Sequence, residues 1–102
     1  MNIKSESIHD ELLVLHCQEG DSKAFEDLVT RWQPRLWRYA RQLTGDKDAA
    51  WDVVQNACMA IIRDIEKLED QARLRQWAYS IASHKIETLL LLHEIYCCGF
   101  LP

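Results

Sequence analysis

Glycine and proline are scarce in this 102-residue chain, at three and two residues. Turns must therefore be few and regular elements long, which argues against a β sandwich and for an all-α domain. Long apolar runs are missing too. Neither the four leucines at residues 89–92 nor the six apolar residues at 57–62 come near the length needed to cross a bilayer. Residues 1–10 are polar and lack the apolar segment of a secretion signal, so the expected compartment is the cytoplasm. An excess of positive charge is also absent: the formal net charge is −4. Proteins that coat duplex nucleic acid are usually basic, which argues against strong independent DNA binding but leaves room for a local basic stripe.

The usual marks of chemistry are absent as well. His9, His16, His84 and His93 form no His-x-x-x-His pair and no nucleophile motif. There is no glycine-rich phosphate loop, and the carboxylates follow no paired-acid pattern. Cys17, Cys58, Cys97 and Cys98 show no CxxC spacing. Cys17 and Cys58 read as buried or incidental thiols, and the adjacent Cys97 and Cys98 have no identifiable partners for a metal. Neither catalysis nor a cofactor is expected.

What the chain does have is helical periodicity. Hydrophobic residues make up 48% and charged residues 27%, ordinary for one soluble domain. The pattern predicts a compact bundle of about four helices. The first is expected over residues 9–19, capped by Ser7 or Asp10, with Leu12, Leu13, Leu15 and His16 on its apolar side and Gly20 as its stop. The second is expected over residues 22–43, capped by Asp21 or Ser22. Phe25, Leu28, Val29, Trp32, Leu36, Tyr39, Ala40 and Leu43 form its stripe. Pro34 interrupts that stripe and predicts a bend rather than a break, and Gly45 ends the helix. The third is expected over residues 48–65, burying Ala50, Val53, Val54, Ala57, Cys58, Ile61 and Ile65. After a polar connection at 66–70, the fourth is expected over residues 71–92, with Leu74, Trp77, Ala78, Ile81, Ala82 and Leu89 inside. Residues 93–102 keep no clear amphipathic period.

Three surface features stand out. Arg31, Arg35, Arg38 and Arg41 recur on one side of the second helix. Guanidiniums can fork onto phosphates or carboxylates, so the stripe is either a solvated face paired with nearby acids or a partner or nucleic-acid surface. Asp52, Gln55, Asn56, Met59 and Arg63 point away from the buried side of the third helix. A flexible thioether among amides suits protein contact, although a plain solvated face has the same composition. Trp32, Tyr39 and Trp77 fall on apolar stripes and read as core. Trp37 and Tyr79 fall off them, where a ring packs on a partner or stacks on an exposed base.

Four segments resemble one known family. Residues 20–28, Gly-Asp-Ser-Lys-Ala-Phe-Glu-Asp-Leu, look like a Gly-Asp-x-x-Ala-Phe-x-x-Leu opening. Pro34-Arg35-Leu36 through Leu43-Thr44-Gly45-Asp46 looks like the helix and turn that follow. Asp52-Val53-Val54-Gln55 matches Asp-x-Val-Gln, and Trp77-Ala78-Tyr79-Ser80-Ile81-Ala82 matches Trp-Leu-Tyr-x-Ile-Ala. In this order and spacing, over roughly residues 10–90, they resemble region 2, the amino-terminal promoter-binding domain, of extracytoplasmic-function (ECF) sigma factors of bacterial RNA polymerase.

The resemblance implies a sigma-factor module that docks on the clamp helices of the largest subunit of core RNA polymerase. It assigns that contact to Asp52, Gln55, Asn56 and Met59, with help from Arg31, Arg35 and Arg38. It implies capture of an unstacked base of the promoter −10 element, with Leu68 and Arg73 in the loop and Tyr79, Ser80, Ser83 and His84 on the fourth helix. An anti-sigma factor is a further implied partner. The alternative is an interaction bundle that binds polymerase or an anti-sigma factor without initiating transcription.

Three positions depart from the family pattern. Leu68-Glu69-Asp70 stands where Phe-Arg-Gly is frequent, and its two carboxylates would repel a phosphate backbone. His84 stands where Asn is usual, and Glu87 with the leucine run replaces arginines. The expected organisation is a region 2-like domain over 1–92 and an atypical tail over 93–102. No region 4 helix-turn-helix is expected. Ile95, Tyr96, Phe100 and Leu101 in the tail would support a homodimer if they share a surface.

Overall fold

The computed structural model describes the backbone of residues 3–94 and the side chains of residues 8–92. Four helices follow in order: α1 Ile3–Gln18, α2 Ser22–Thr44, α3 Lys47–Asp64 and α4 Leu74–Glu94. Two short 3-10 turns, Ile65–Lys67 and Gln71–Arg73, lie between α3 and α4. Cys97, Cys98 and the tail residues expected to support a dimer lie outside the described residues.

The helix limits have local causes. Asp21 sits in extended backbone before α2, and its carboxylate accepts from the Lys23 amide at 3.0 Å. Asp46 does the same for α3, accepting from the Asp48 and Ala49 amides at 2.8 and 3.2 Å. Each satisfies backbone donors that have no intrahelical partner. Gly45 ends α2 in left-handed backbone, φ 71°, with its amide bonded to the Arg41 carbonyl. A residue with a Cβ is strained there, which is why glycine holds the position. Pro34 does not break α2, which runs unbroken through it. The fourth helix starts later than expected: residues 71–73 form a separate 3-10 turn, and the α-helix begins at Leu74.

Packing joins α1, α2, α3 and α4 around one main core and one smaller cluster. Trp32, Leu28, Leu36, Ile65, Leu74 and Val14 are its largest fully buried side chains. Burying each such group contributes about 2 kcal/mol relative to exposure. Ala24, Ala57, Ala78 and Ala82 fill the main core between them, and Ala40, Ala50, Val53 and Ile86 form the smaller cluster. The expected inner face of α3 is fully buried.

Of the expected inner face of α1, only Leu13 is buried. Leu12 and Leu15 are 51% and 42% exposed and His16 is exposed. The buried residues are Asp10, Leu13, Val14 and Cys17, at spacings of three, one and three, which is one helical face. A carboxylate on that face hid the pattern. Asp10 is no cap, since α1 begins seven residues earlier. Leu43 is also exposed: the inward row of α2 runs Leu36, Ala40 and then half-buried Thr44. Trp77 and Tyr39 are half-buried rather than fully enclosed, and Ile86 joins the core of α4 unexpectedly.

Candidate nucleic-acid and partner interfaces

Asp10 organises the seam between α1 and α2. It is only 7% exposed. Arg31 Nε donates to its Oδ1 at 2.6 Å, and Trp32 Nε1 donates to the same oxygen at 3.2 Å. An Arg35 nitrogen lies 3.7 Å from its Oδ2. A carboxylate this enclosed is tolerable only with such partners. The Arg35 guanidinium also stacks over the Trp32 ring, 4.9 Å from its centroid. Two of the four stripe arginines are thus held by an acid on another helix.

Aromatic rings continue from that seam into α4. Trp32 meets Tyr79 edge-on with centroids 5.6 Å apart, and Tyr79 meets Tyr39 edge-on at 5.1 Å. The Tyr39 hydroxyl is 2.6 Å from Ser83 Oγ. Above this row lies an open groove of about 630 Å³, lined by Arg35, Arg38, Tyr39, Gln42, Arg75 and Tyr79. Arg38, Gln42 and Arg75 are exposed. Sequence reasoning missed Arg75 and Gln42. The signal was present: Arg75, Tyr79 and Ser83 repeat at intervals of four and so share one face of α4.

The loop before α4 is held from α1. Gln18 Nε2 donates to the carbonyls of Ile65 and Leu68 at 3.0 and 2.8 Å, and its Oε1 accepts from Gln71 Nε2 at 3.1 Å. One amide thereby fixes both ends of the connection, a role no local pattern announced. Asp70 accepts from the Ala72 amide at 3.0 Å and lies 3.8 Å from Arg73 Nε. Part of the loop's negative charge is therefore spent internally. Leu68 is half-buried and Arg73 exposed.

The remaining expected residues fall into distinct sets. Ser80 and His84 are exposed on the outer side of α4, whereas Tyr79 and Ser83 are half-buried against α2. Asp52, Gln55 and Asn56 are exposed on α3, and Met59 is 69% exposed. None of these three polar side chains enters a hydrogen bond or ion pair among the described residues. The structure groups Arg35 and Arg38 with Arg75 and Tyr79 of α4 around the groove. Trp37, expected off the core, is half-buried against both core clusters and lies 5.8 Å from Trp51. Its Nε1 is buried without a hydrogen-bond partner among the described residues.

Cys17 and Cys58 are buried free thiols. Burial, with Asp21 and Asp27 nearby, pushes Cys17 up to about 11, and burial raises Cys58 as well. Both are protonated and inert near neutrality. Among the described residues no cluster of His, Cys, Asp or Glu could hold a metal ion, and no helix is long and apolar enough to cross a membrane.

Comparison with known proteins accounts for this arrangement. Residues 19–91 match Sigma-70 region 2. The ECF RNA polymerase sigma-E factor of Haemophilus influenzae is 31% identical over 86 residues, covering 84% of this chain and 45% of that protein. Its counterpart in Escherichia coli K12 is 31% identical over 87 residues, covering 85% and 45%. The chain thus spans a little under half the length of these relatives. An NMR structure of an engineered region 2 of sigmaE in complex with GTAAAA superposes with a TM-score of 0.77 at 30% identity, covering 87% of this chain and 93% of that one. The four helices are thus the frame of a known domain, and the chain belongs to the Sigma-70 region 2 family in its ECF form.

Proposed function

We propose that this chain is a transcription-initiation module that docks on core RNA polymerase and holds the promoter −10 element as a single strand. The observation that carries the reading is the likeness to an engineered sigmaE region 2 bound to GTAAAA, over 87% of the chain. Docking falls to the α3 row of Asp52, Gln55, Asn56 and Met59, against the clamp helices of the largest subunit. Among the described residues those side chains spend no hydrogen bond, so a partner gains them without breaking an internal contact there.

Strand capture falls to the loop and the outer side of α4. Leu68 and Arg73 of the loop, with Ser80 and His84 of α4, are the residues assigned here to contact an unstacked base. Extracting a base costs a few kcal/mol, and stacking with edge contacts returns about 1–3 kcal/mol per base. The hold of Gln18 on the loop serves this step, because a loop ordered beforehand loses less entropy on binding.

A second reading has one observation in its favour. Exposed Glu69 and Asp70 beside the capture loop disfavour a phosphate backbone, which suits a bundle that binds polymerase or an anti-sigma factor without initiating. A pull-down with purified core polymerase, with and without a labelled −10 single strand, separates the two. The module reading expects polymerase-dependent retention of the strand. Polymerase binding with no strand retained would favour the second reading, and no polymerase binding would defeat the module reading and leave only an anti-sigma factor as partner for the second.

A further inference from the structure

The first helix is apolar on two sides. Leu13, Val14 and Cys17 face inward with Asp10, while Ile8, Leu12 and Leu15 are 51%, 51% and 42% exposed. Spacings of four and three put those three on one stripe. At about 100° per residue, that stripe lies on the opposite side of α1 from the buried face. One apolar side is enough to hold a helix in a bundle, so packing explains the inner side and leaves the outer one unexplained.

The outer stripe is shaped as well as apolar. With Glu11 and Gln71 it lines an open groove of about 230 Å³ between α1 and the 3-10 turn 71–73. The wall opposite α1 is set in advance. Gln71 Nε2 donates to Gln18 Oε1, and Gln18 in turn holds the Ile65 and Leu68 carbonyls. The groove shares no residue with the α3 row or with the residues assigned to an unstacked base.

Charge selects the occupant. Half-buried Glu11 stands in the groove, exposed Glu69 and Asp70 precede Gln71, and exposed Glu19 lies one turn beyond Leu15. Glu11 and Glu69 enter no ion pair among the described residues. The basic residues that follow Leu15 and Gln71 are already beside acids: His16 lies 3.9 Å from Glu19, and Arg73 lies 3.8 Å from Asp70. A second copy of this chain, at net charge −4, would bring acid against acid, and an anionic lipid surface would be repelled in the same way. A basic helix with one apolar side answers both features. Its apolar row fills the groove at i, i+3, i+4 and i+7, and its cations meet the carboxylates.

We propose that the outer side of α1 is a docking site for a basic amphipathic helix of a partner protein, held by Ile8, Leu12 and Leu15 and oriented by Glu11. The site stands independently of −10 capture. The test uses the full chain and three fluorescein-labelled helical peptides of about 18 residues, roughly five turns. The first is leucine and lysine with the leucines on one side. The second has the same composition with the leucines spread around the helix. The third is leucine and glutamate with the leucines on one side. Anisotropy is read at about 0.15 M salt. The wild-type chain is expected to bind the first peptide about tenfold or more tighter than either of the others. L12S combined with L15S should remove most of that preference, and E11Q should weaken binding about threefold and lower its salt dependence. L43S removes an equally exposed leucine outside the groove and should change nothing. An unchanged melting temperature verifies each fold, and E11Q tests the site with the side-chain shape kept.

Equal wild-type affinity for the three peptides would overturn the proposal. So would equal weakening by L43S and by the double serine variant, or wild-type affinity in both E11Q and the double variant. Self-association of the wild-type chain in sedimentation equilibrium, lost in L12S combined with L15S, would show a second copy as the occupant and also overturn it.

Discussion

Asp10 on α1 and Asp52 on α3 carry the same carboxylate in one small bundle, and they meet opposite fates. Asp10 is enclosed by Arg31, Trp32 and Arg35. Asp52 stands in solvent with no side-chain partner among the described residues. The α1–α2 seam has turned polar groups into structure, while the outer row of α3 has left them unspent. A buried charge commits its neighbours, because removing one partner strands the others. An exposed one commits nothing, so it is available to another molecule. Polarity therefore marks function on this surface only where it is not already answered from within.

That contrast can be broken by substitution. The largest effect is expected at the apolar side of the seam: Trp32→Ala should cost about 4 kcal/mol, since the ring is fully buried. Half-buried Trp77 should cost about half as much, measured by urea unfolding. Asp10→Ala should follow at about 3 kcal/mol, whereas Asp52→Ala should stay within about 0.5 kcal/mol of wild type. Equal losses at the two aspartates would erase the distinction.

Smaller changes sharpen it. Tyr39→Phe removes the hydroxyl 2.6 Å from Ser83 Oγ and should cost about 1 kcal/mol. Cys17 should resist Ellman's reagent at pH 8 until the chain is unfolded. Its thiol is raised from 9.0 to about 11, so the fold favours the protonated form. That contribution is complete below pH 9 and is lost as pH rises towards 11, so the melting temperature should decline across that interval.

Most of the scaffold was legible in the chain. The α2 stripe as far as Ala40, the α3 interior and the cap Asp21 follow local rules, because each needs residues no more than four apart. What escaped were roles that depend on distant partners. Asp10 is buried because Arg31 and Trp32, 21 and 22 residues on, come to meet it. Without them, Leu12 and Leu15 looked like the better inner face. Gln18 holds carbonyls 47 and 50 residues away, which no spacing within α1 reveals. The arginine stripe shows the same limit. Its helix and period were evident, but its division between an internal brace and an open groove depends on α1 and α4.

The outer row of α3 is where the account stands most exposed to test. The decisive measurement is the affinity of the full chain for purified core RNA polymerase, compared between wild type and D52A combined with Q55A, with helicity and melting temperature recorded in parallel. The account predicts a loss of about tenfold or more in affinity with the fold unchanged. Undiminished binding by a folded double variant would contradict it.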